Sequence, residues 1–234
     1  MPNLIPTVAI VDPDPSVRAS LDILIRRSGW QPATFASVQD FLGCAPKPAP
    51  GCLVIDVALP DLDGGDLLKR IVAERKETPI IAVSRRADVC SIVHAMKAGA
   101  MEFLLKPLDS ALLTAAVAQA VARSQLILQR EAELQELRKR YDSLSGRERE
   151  VMTGVVAGCL NKQVASALGI SIITVKAHRG RVMRKMEANS LPELVRMSMR
   201  IGVPTVNIVR RPAFHAPRTS HVSAGLAGML GSHH

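Results

Sequence analysis

The sequence is poor in aromatic residues and has no long apolar run. Aromatic side chains make up 3% of the 234 residues, although 47% of the chain is hydrophobic. No uninterrupted apolar stretch reaches the roughly 18 residues of a membrane-spanning helix, and no cationic segment followed by an apolar core opens the chain. We therefore expect a globular cytoplasmic protein without a secretory signal or a membrane-spanning helix.

The four cysteines show no pattern that would suggest a metal site or a disulfide. Cys44, Cys52, Cys90 and Cys159 form no C-x-x-C pair, and no histidine lies at metal-ligand spacing. Reduced thiols that pack as small apolar side chains are the expected state.

Positive charge is concentrated in the second half of the chain. The net charge of +9 divides into −1 over residues 1–122, +2 over 123–140 and +7 over 141–211, and Arg218 supplies the rest. A basic segment of this kind predicts binding to a polyanion. Nucleic acid and an anionic membrane surface both satisfy the charge, so the motifs must decide between them.

Short Val- and Ile-rich segments in the first half alternate with segments of helical spacing, such as residues 17–28 and 64–75. We predict strands over residues 8–11, 31–35, 53–57, 79–83 and 102–105. Strands that alternate with helices in this way predict a parallel α/β sheet. In such sheets, functional groups gather at the carboxyl ends of the strands.

Four polar side chains stand at these carboxyl ends. Asp12 and Asp56 end the first and third strands, Ser84 ends the fourth, and Lys106 follows the last. A carboxylate nucleophile needs a cation to neutralise an incoming phosphoryl group, and a hydroxyl or ammonium group to hold its oxygens. Singly, each residue could be a turn or cap residue, but together they predict a phosphoacceptor pocket.

Three longer segments of the first half carry a resemblance to a known family. They read Val-Ala-Ile-Val-Asp-Pro-Asp over 8–14, Leu-Val-Ile-Asp-Val-Ala-Leu-Pro-Asp-Leu-Asp-Gly over 53–64, and His-Ala-Met-Lys-Ala-Gly-Ala-Met-Glu-Phe-Leu-Leu-Lys-Pro over 94–107. Over residues 6–122 the chain resembles the receiver domain of FixJ/NarL-type response regulators. The resemblance implies a CheY-like, flavodoxin-like sheet of five parallel strands, doubly wound with helices.

The same resemblance implies roles for individual residues. Asp56 would accept a phosphoryl group from a sensor histidine kinase, in a transfer that the receiver itself catalyses. Ser84 and Phe103 would form the switch pair, and Lys106 would contact the phosphate just before a cis proline. The implied Mg²⁺ ligands are Asp12, Asp56 and the backbone of Ala58.

The metal site departs from the family pattern. Receivers usually carry a second acid directly after the residue that corresponds to Asp12, and Pro13 stands there instead. A proline side chain cannot bind a metal, so we expect weakened Mg²⁺ binding. Asp14 lies one residue further on and could substitute, although the flanking prolines stiffen its loop.

Three hypotheses for the receiver remain open. In the first, Asp56 is phosphorylated with impaired metal dependence, and Asp14 substitutes for the missing acid. In the second, Arg85 or Arg86 occupies the acidic pocket as a built-in cation, and a ligand or an interaction controls a degenerate receiver. A more distant alternative is a phosphate sink or a docking adaptor.

A connecting helix is predicted over residues 123–140, where nothing breaks a helical pattern. Apolar residues recur there at heptad spacing: Ile127, Leu134 and Tyr141, with Leu137 and Leu144 interleaved. The spacing would allow pairing with a second copy of the chain.

Residues 141–204 show the pattern of a small helical domain. Ser145 and Glu148 form a capping box at the start of one helix, a second helix over 161–168 ends at Gly169, and Ser171 caps a third that runs to about residue 186. This is a helix-turn-helix arrangement. Residues 205–234 are expected to be a disordered tail that ends in a tag remnant.

The third helix has one apolar and one cationic side. Val175, Val182 and Met186 define the predicted buried side. His178 falls towards that side, where a packed, hydrogen-bonded histidine is favoured over a histidine that contacts a base. The opposite side carries Lys176, Ala177, Gly180, Arg181 and Arg184. Cations beside very small residues suit a helix that enters a DNA groove, although an isolated cationic face can also be merely solvated.

Three segments of this half resemble the LuxR-type helix-turn-helix: Leu-Ser-Gly-Arg-Glu-Arg-Glu-Val, Val-Ala-Gly-Cys-Leu-Asn-Lys-Gln-Val-Ala and Thr-Val-Lys-Ala-His-Arg. The resemblance implies a dimer formed through the last helix. It implies base contacts by Lys176, Ala177 and Gly180, and contacts to the DNA backbone by Asn161, Lys162 and Thr174. Ile173 departs from the pattern, since a basic residue is common at that position.

The expected protein is therefore a transcription regulator rather than an enzyme. Its domains are a receiver over 1–122, a helical linker over 123–140 and a DNA-binding domain over 141–204. The family implies a homodimer that binds promoter DNA and acts on RNA polymerase.

Overall fold

A computed structural model describes residues 5–44, 51–58, 66–75, 77–85 and 88–204. The chain forms two compact units that divide between Glu136 and Leu137.

The first unit is built on a sheet of five parallel strands in the order β2-β1-β3-β4-β5. The strands are β1 (Thr7–Val11), β2 (Gln31–Phe35), β3 (Gly51–Asp56), β4 (Ile80–Ser84) and β5 (Glu102–Leu105). The predicted five-stranded sheet is confirmed.

Glycine is required where β3 begins. A Cβ atom on Gly51 would lie 2.0 Å from the carbonyl oxygen of Thr7, so no other residue fits there without a shift of the backbone.

Helices cover both faces of the sheet. They are α1 (Pro15–Arg27), α2 (Val38–Gly43), α3 (Asp66–Glu74), α4 (Val89–Lys97) and the first part of α5 (Ser110–Asp142). Because successive strand residues point to opposite faces, Val11 and Ile55 pack in the core with α2, α3 and α4. Ile10 and Val54 pack with α1 and α5 on the other face.

The helix α5 extends through the predicted linker, which confirms the connecting helix. It is 33 residues long, and its length and composition alone would let it cross a membrane. However, Leu113, Val117 and Ala120 on this helix are fully buried against the sheet. The core helix of a globular domain meets the same criteria of length and composition, so we read α5 as such a helix.

The second unit is helical. It contains the last turns of α5, α6 (Gly146–Val156), α7 (Asn161–Leu168), α8 (Ile172–Met186) and α9 (Leu191–Arg200). The predicted capping box of α6 is present. The predicted end of α7 is also confirmed, because Gly169 adopts the left-handed conformation with φ 66°.

Part of the predicted heptad seam is used inside the second unit. Leu137 and Leu144 are buried there, and Tyr141 packs against the same core of α6, α8 and α9. These positions therefore cannot also pair with a second chain. The predicted tail, residues 205–234, lies outside the described residues.

Candidate functional sites

An acidic pocket forms at the carboxyl end of the sheet around Lys106. Its Nζ lies 2.5 Å from Oδ2 of Asp12 and 2.6 Å from Oδ2 of Asp56. The lysine side chain is 8% exposed, and the two carboxylates are 1% and 6% exposed. Burial lowers the pKa of Lys106, but the hydrogen bonds and charges of both carboxylates outweigh it and raise the pKa above its ordinary value. The lysine is therefore a buried ammonium at neutral pH.

Backbone groups hold the other oxygen of each carboxylate. The N–H of Asp14 donates to Oδ1 of Asp12 at 2.9 Å, and the N–H of Ala58 donates to Oδ1 of Asp56 at 2.8 Å. Each carboxylate is thus held through Oδ1 by a backbone N–H and through Oδ2 by the Lys106 ammonium.

The residues expected to form the switch lie at the ends of β4 and β5. Ser84 is buried, and its carbonyl oxygen accepts a hydrogen bond from the N–H of Lys106 at 2.8 Å. Phe103 is half-buried in β5 and packs against the sheet core. The peptide bond between Lys106 and Pro107 is cis, as predicted.

The side chain of Asp14 does not point into the acidic pocket. Its Oδ1 accepts hydrogen bonds from the N–H of Ser16 at 2.9 Å and from Oγ of Ser16 at 2.6 Å, which makes it the N-cap of α1. These bonds, with a smaller contribution from Arg85, lower the pKa of Asp14. Its role as a substitute metal ligand stays a prediction that would require these contacts to break.

Arg85, a predicted built-in cation of the acidic pocket, contacts Asp14 instead. Nη2 of Arg85 lies 3.0 Å from Oδ2 of Asp14, and the arginine side chain is 66% exposed. The cation that lies between Asp12 and Asp56 is Lys106, not Arg85. Arg86 lies outside the described residues.

The oxygen donors of the pocket suit Mg²⁺. The pocket supplies one protein ligand fewer than the pattern of receiver domains. Two carboxylates and a backbone carbonyl are ligands that Mg²⁺ accepts when waters complete its shell. Pro13 adds no donor, and within the described ranges no group of three or more His, Cys, Asp or Glu side chains is placed to hold a metal ion. The oxygen donors therefore fit Mg²⁺, and its weakened binding stays a prediction.

Two residues that stabilise loops and strands of the first unit were not predicted from the sequence. Nη1 of Arg18 donates to the carbonyl oxygen of Asp12 at 2.6 Å and so fixes the loop after β1. Ser124 in α5 is buried, accepts from the N–H of Gly51 at 3.2 Å and donates to the carbonyl oxygen of Glu77 at 2.6 Å. The contacts of Ser124 have no local sequence signal, because they join residues 73 and 47 positions apart.

The second unit presents the cationic face that was predicted on α8. Val175, Val182 and Met186 are buried on one side. A Cβ atom on Gly180 would meet nothing within 4 Å, so packing inside the protein does not require glycine there. The residues predicted for the opposite side are all exposed: Lys176, Ala177, Gly180, Arg181 and Arg184.

The residues expected to reach the DNA backbone lie at the starts of α7 and α8. Lys162 is exposed, and Asn161 is half-buried with an Oδ1 atom that has no hydrogen-bond partner among the described residues. Oγ1 of Thr174 lies 2.8 Å from Oγ of Ser171, the N-cap of α8. Ile173 is 81% exposed beside them.

The prediction of a hydrogen-bonded His178 is wrong in this structure. The side chain is half-buried, as expected, but its Nδ1 is buried without a hydrogen-bond partner in the part of the chain that the structure describes. The packing of α8 shields this atom without supplying a donor or an acceptor.

Comparison with known proteins identifies the family of each half of the chain. Residues 8–118 match the family model of the response regulator receiver domain, and residues 142–198 match that of the bacterial regulatory proteins of the luxR family. The chain is 41% identical over 196 residues to the transcriptional regulatory protein FixJ of Bradyrhizobium diazoefficiens, a match that covers 84% of this chain and 96% of that protein. The chain belongs to the response regulator family.

Other response regulators match most of the chain. The response regulator protein TodT of Pseudomonas putida is 37% identical over 83% of this chain and 86% of its own length. The solved structure of the response regulator StyR superimposes with a TM-score of 0.74 at 36% identity, over 84% of this chain and all of that one. This response regulator is thus a transcription regulator of the two-component type, with a receiver and a LuxR-type DNA-binding domain.

Proposed function

We propose that this response regulator accepts a phosphoryl group on Asp56 and that the modification controls its dimerisation and promoter binding. The observation that carries the proposal is the buried ammonium of Lys106, held 2.6 Å from the Asp56 carboxylate at the carboxyl end of the sheet. A fixed cation at that point neutralises charge that would otherwise oppose the transfer of a phosphoryl group.

In the proposed transfer, a carboxylate oxygen of Asp56 forms a bond to phosphorus while the P–N bond of a kinase phosphohistidine breaks. The imidazole leaves with the electron pair and takes up a proton. Lys106 would hold the phosphoryl oxygens, and the Ser84 hydroxyl would donate a hydrogen bond to them. Mg²⁺, when bound, supplies further positive charge, and Asp12, Asp56 and the Ala58 carbonyl would hold it.

An exposed apolar surface on the first unit supports a homodimer. It lies on α4, β5 and the start of α5, where large apolar side chains are 40% to 73% exposed: Val89, Val93, Met96, Leu105 and Leu112. Apolar residues that cluster on a surface in this way mark protein–protein contact sites. A second copy of the receiver would cover them.

The cationic face of α8 supports major-groove binding. We infer that Lys176, Ala177 and Gly180 face the bases, and that Arg181 and Arg184 add base or phosphate contacts. The backbone contacts would come from Asn161, Lys162 and Thr174. A dimer in the cytoplasm would then read two half-sites about one helical turn apart and present a surface to RNA polymerase.

A receiver that is controlled without phosphate is a second candidate. Lys106 already contacts both carboxylates of the pocket, and Pro13 removes one metal ligand. Both features make the structure of the pocket less dependent on a bound metal ion or phosphoryl group.

Phosphorylation by a small phosphodonor separates the two candidates. The full-length protein and an Asp56→Asn variant are incubated with acetyl phosphate over a range of Mg²⁺ concentrations and analysed by intact-protein mass spectrometry. We expect one phosphoryl group on the wild type and none on the variant, together with genomic footprints that depend on Asp56. Absence of phosphoprotein at every Mg²⁺ concentration, with intact DNA binding, would refute the phosphoacceptor role.

A further inference from the structure

The ion pair between Arg85 and Asp14 crosses the end of the strand that carries Asp56. Asp14 follows β1 and Arg85 follows β4, and β3 lies between these strands in the sheet. The register sets Asp56 beside Val83, two residues before Arg85. A contact of 3.0 Å between the two loops therefore passes over the carboxyl end of β3.

Arg85 and Lys106 face the same open space. A groove of about 560 Å³ beside the pocket is lined by both cations, by Ser16 and by apolar residues of α1 such as Val17 and Leu21. The groove gives the Arg85 guanidinium, which is 66% exposed, room to change partners.

The charges around Asp56 favour a second cation once phosphate arrives. Asp12, Asp56 and Lys106 together carry one net negative charge, and the pair of Asp14 with Arg85 is neutral. A phosphoryl group adds further negative charge, while Pro13 has removed one ligand of the ion that would balance it. A guanidinium group binds phosphoryl oxygens with two parallel hydrogen bonds.

The two members of the ion pair differ in how firmly they are held. Asp14 is fixed by two hydrogen bonds from Ser16 at 2.9 Å and 2.6 Å. Arg85 has a long exposed side chain that contacts Asp14 through one nitrogen, Nη2. Arg85 is therefore the member that can move.

We propose that Arg85 leaves Asp14 when Asp56 is phosphorylated and binds the phosphoryl oxygens, so that it performs part of the charge neutralisation that Mg²⁺ performs in other receivers. The proposal rests on the phosphoacceptor role of Asp56. Only ion pairs exchange in this step. Asp14 is a positioning residue that holds the guanidinium over β3 before the phosphoryl group arrives.

The test compares phosphorylation of full-length variants with and without a metal ion. Wild type, Arg85→Ala, Arg85→Lys and the control Arg26→Ala are incubated with acetyl phosphate in saturating Mg²⁺ or in EDTA. The control removes an exposed ion pair of 2.7 Å with Asp22 on α1. In EDTA we expect Arg85→Ala to react about tenfold more slowly than wild type, since loss of one charge-stabilising group costs about tenfold or more. The phosphorylation rate of Arg85→Lys in EDTA should lie between the rates of wild type and Arg85→Ala. Saturating Mg²⁺ should narrow the difference in rate between wild type and Arg85→Ala.

A second measurement needs no phosphoryl group. Mn²⁺ binding to the unphosphorylated proteins, followed by electron paramagnetic resonance, should be tighter in Arg85→Ala by about threefold or more, because the variant removes a positive charge near the pocket and frees the carboxylate of Asp14. Mn²⁺ affinity equal to that of Arg26→Ala would overturn the proposal.

The outcomes distinguish this proposal from the phosphoacceptor role on which it depends. A wild type that is phosphorylated on Asp56, with an Arg85→Ala variant that reacts equally fast in EDTA, overturns only the role of Arg85. A wild type that is never phosphorylated overturns both.

Discussion

Replacement of Glu148 by glutamine should destabilise the DNA-binding domain by about 2 kcal/mol at neutral pH. The Glu148 side chain is 5% exposed, and its Oε2 accepts from Nζ of Lys185 at 2.7 Å and from the N–H of Ser145 at 2.9 Å. These two contacts lower the pKa of Glu148 from 4.5 to about 2. Glutamine keeps an oxygen that can accept from Ser145 but loses the charge that attracts Lys185.

The magnitude follows from the lowered pKa. A fall from 4.5 to about 2 corresponds to about 3 kcal/mol, at about 1.4 kcal/mol for each tenfold change in proton affinity. Lys185 is 39% exposed, so solvent screening reduces the estimate to about 2 kcal/mol. Because the pKa is lower in the folded state, the stabilisation is complete above about pH 4.5 and is lost as the pH falls towards 2.

Thermal unfolding followed by far-UV circular dichroism measures the effect. A loss of about 2 kcal/mol should lower the Tm of a domain of this size by about 8–16 °C. Trp30 is the single tryptophan and lies in the first unit, so its fluorescence transition should not move. Glu150→Gln is the matched control, because Glu150 forms an exposed pair with Arg147 at 2.8 Å and should contribute less than about 1 kcal/mol.

Two results would refute this reasoning. One is a Tm for Glu148→Gln that equals the Tm of Glu150→Gln. The other is a stability difference between wild type and Glu148→Gln that stays constant from pH 4.5 to pH 2, since protonation of Glu148 must abolish the difference.

Three further substitutions test the metal site, the DNA interface and the attachment of α5. Pro13→Asp adds a carboxylate next to Asp12 and should tighten Mn²⁺ binding by about tenfold in a paramagnetic resonance titration; unchanged affinity would contradict the assigned pocket. Ile173→Lys should add one phosphate contact and steepen the dependence of log K on log salt by about 0.9, measured by fluorescence anisotropy on promoter DNA. Ser124→Ala leaves the buried N–H of Gly51 without its acceptor and should cost about 1–3 kcal/mol in urea unfolding followed by Trp30 fluorescence.

The three central strands, β1, β3 and β4, could be predicted closely because they are buried on both faces. All six residues of β3 are buried, and such strands appear in the sequence as short Val- and Ile-rich runs. The helix α2 was not predicted, because its six residues, Val38–Gly43, are too few to show a helical period. Its start depends on the Ser37 side chain, which accepts from the N–H of Asp40.

The composition of the acidic pocket could also be predicted, but not its contacts. Asp12, Asp56 and Lys106 end or follow strands of one parallel sheet, so topology places all three at its carboxyl edge. The simultaneous contact of Lys106 with both carboxylates depends on side-chain conformation, which no local pattern encodes. The pair of Glu148 with Lys185 joins residues 37 positions apart and likewise depends on how α6 packs against α8.

The placement of Asp14 follows from its two neighbouring prolines. A residue before proline is restricted to extended backbone, and Asp14 has φ −82° and ψ 114°. Pro15 has no N–H and suits the first turn of a helix, so Asp14 becomes the N-cap and its carboxylate turns to Ser16. To bind a metal ion it would have to give up a cap that contributes about 1 kcal/mol. The segment that has no metal ligand at Pro13 therefore also uses the Asp14 carboxylate to cap α1. The second oxygen of that carboxylate, Oδ2, pairs with Arg85 over the end of β3.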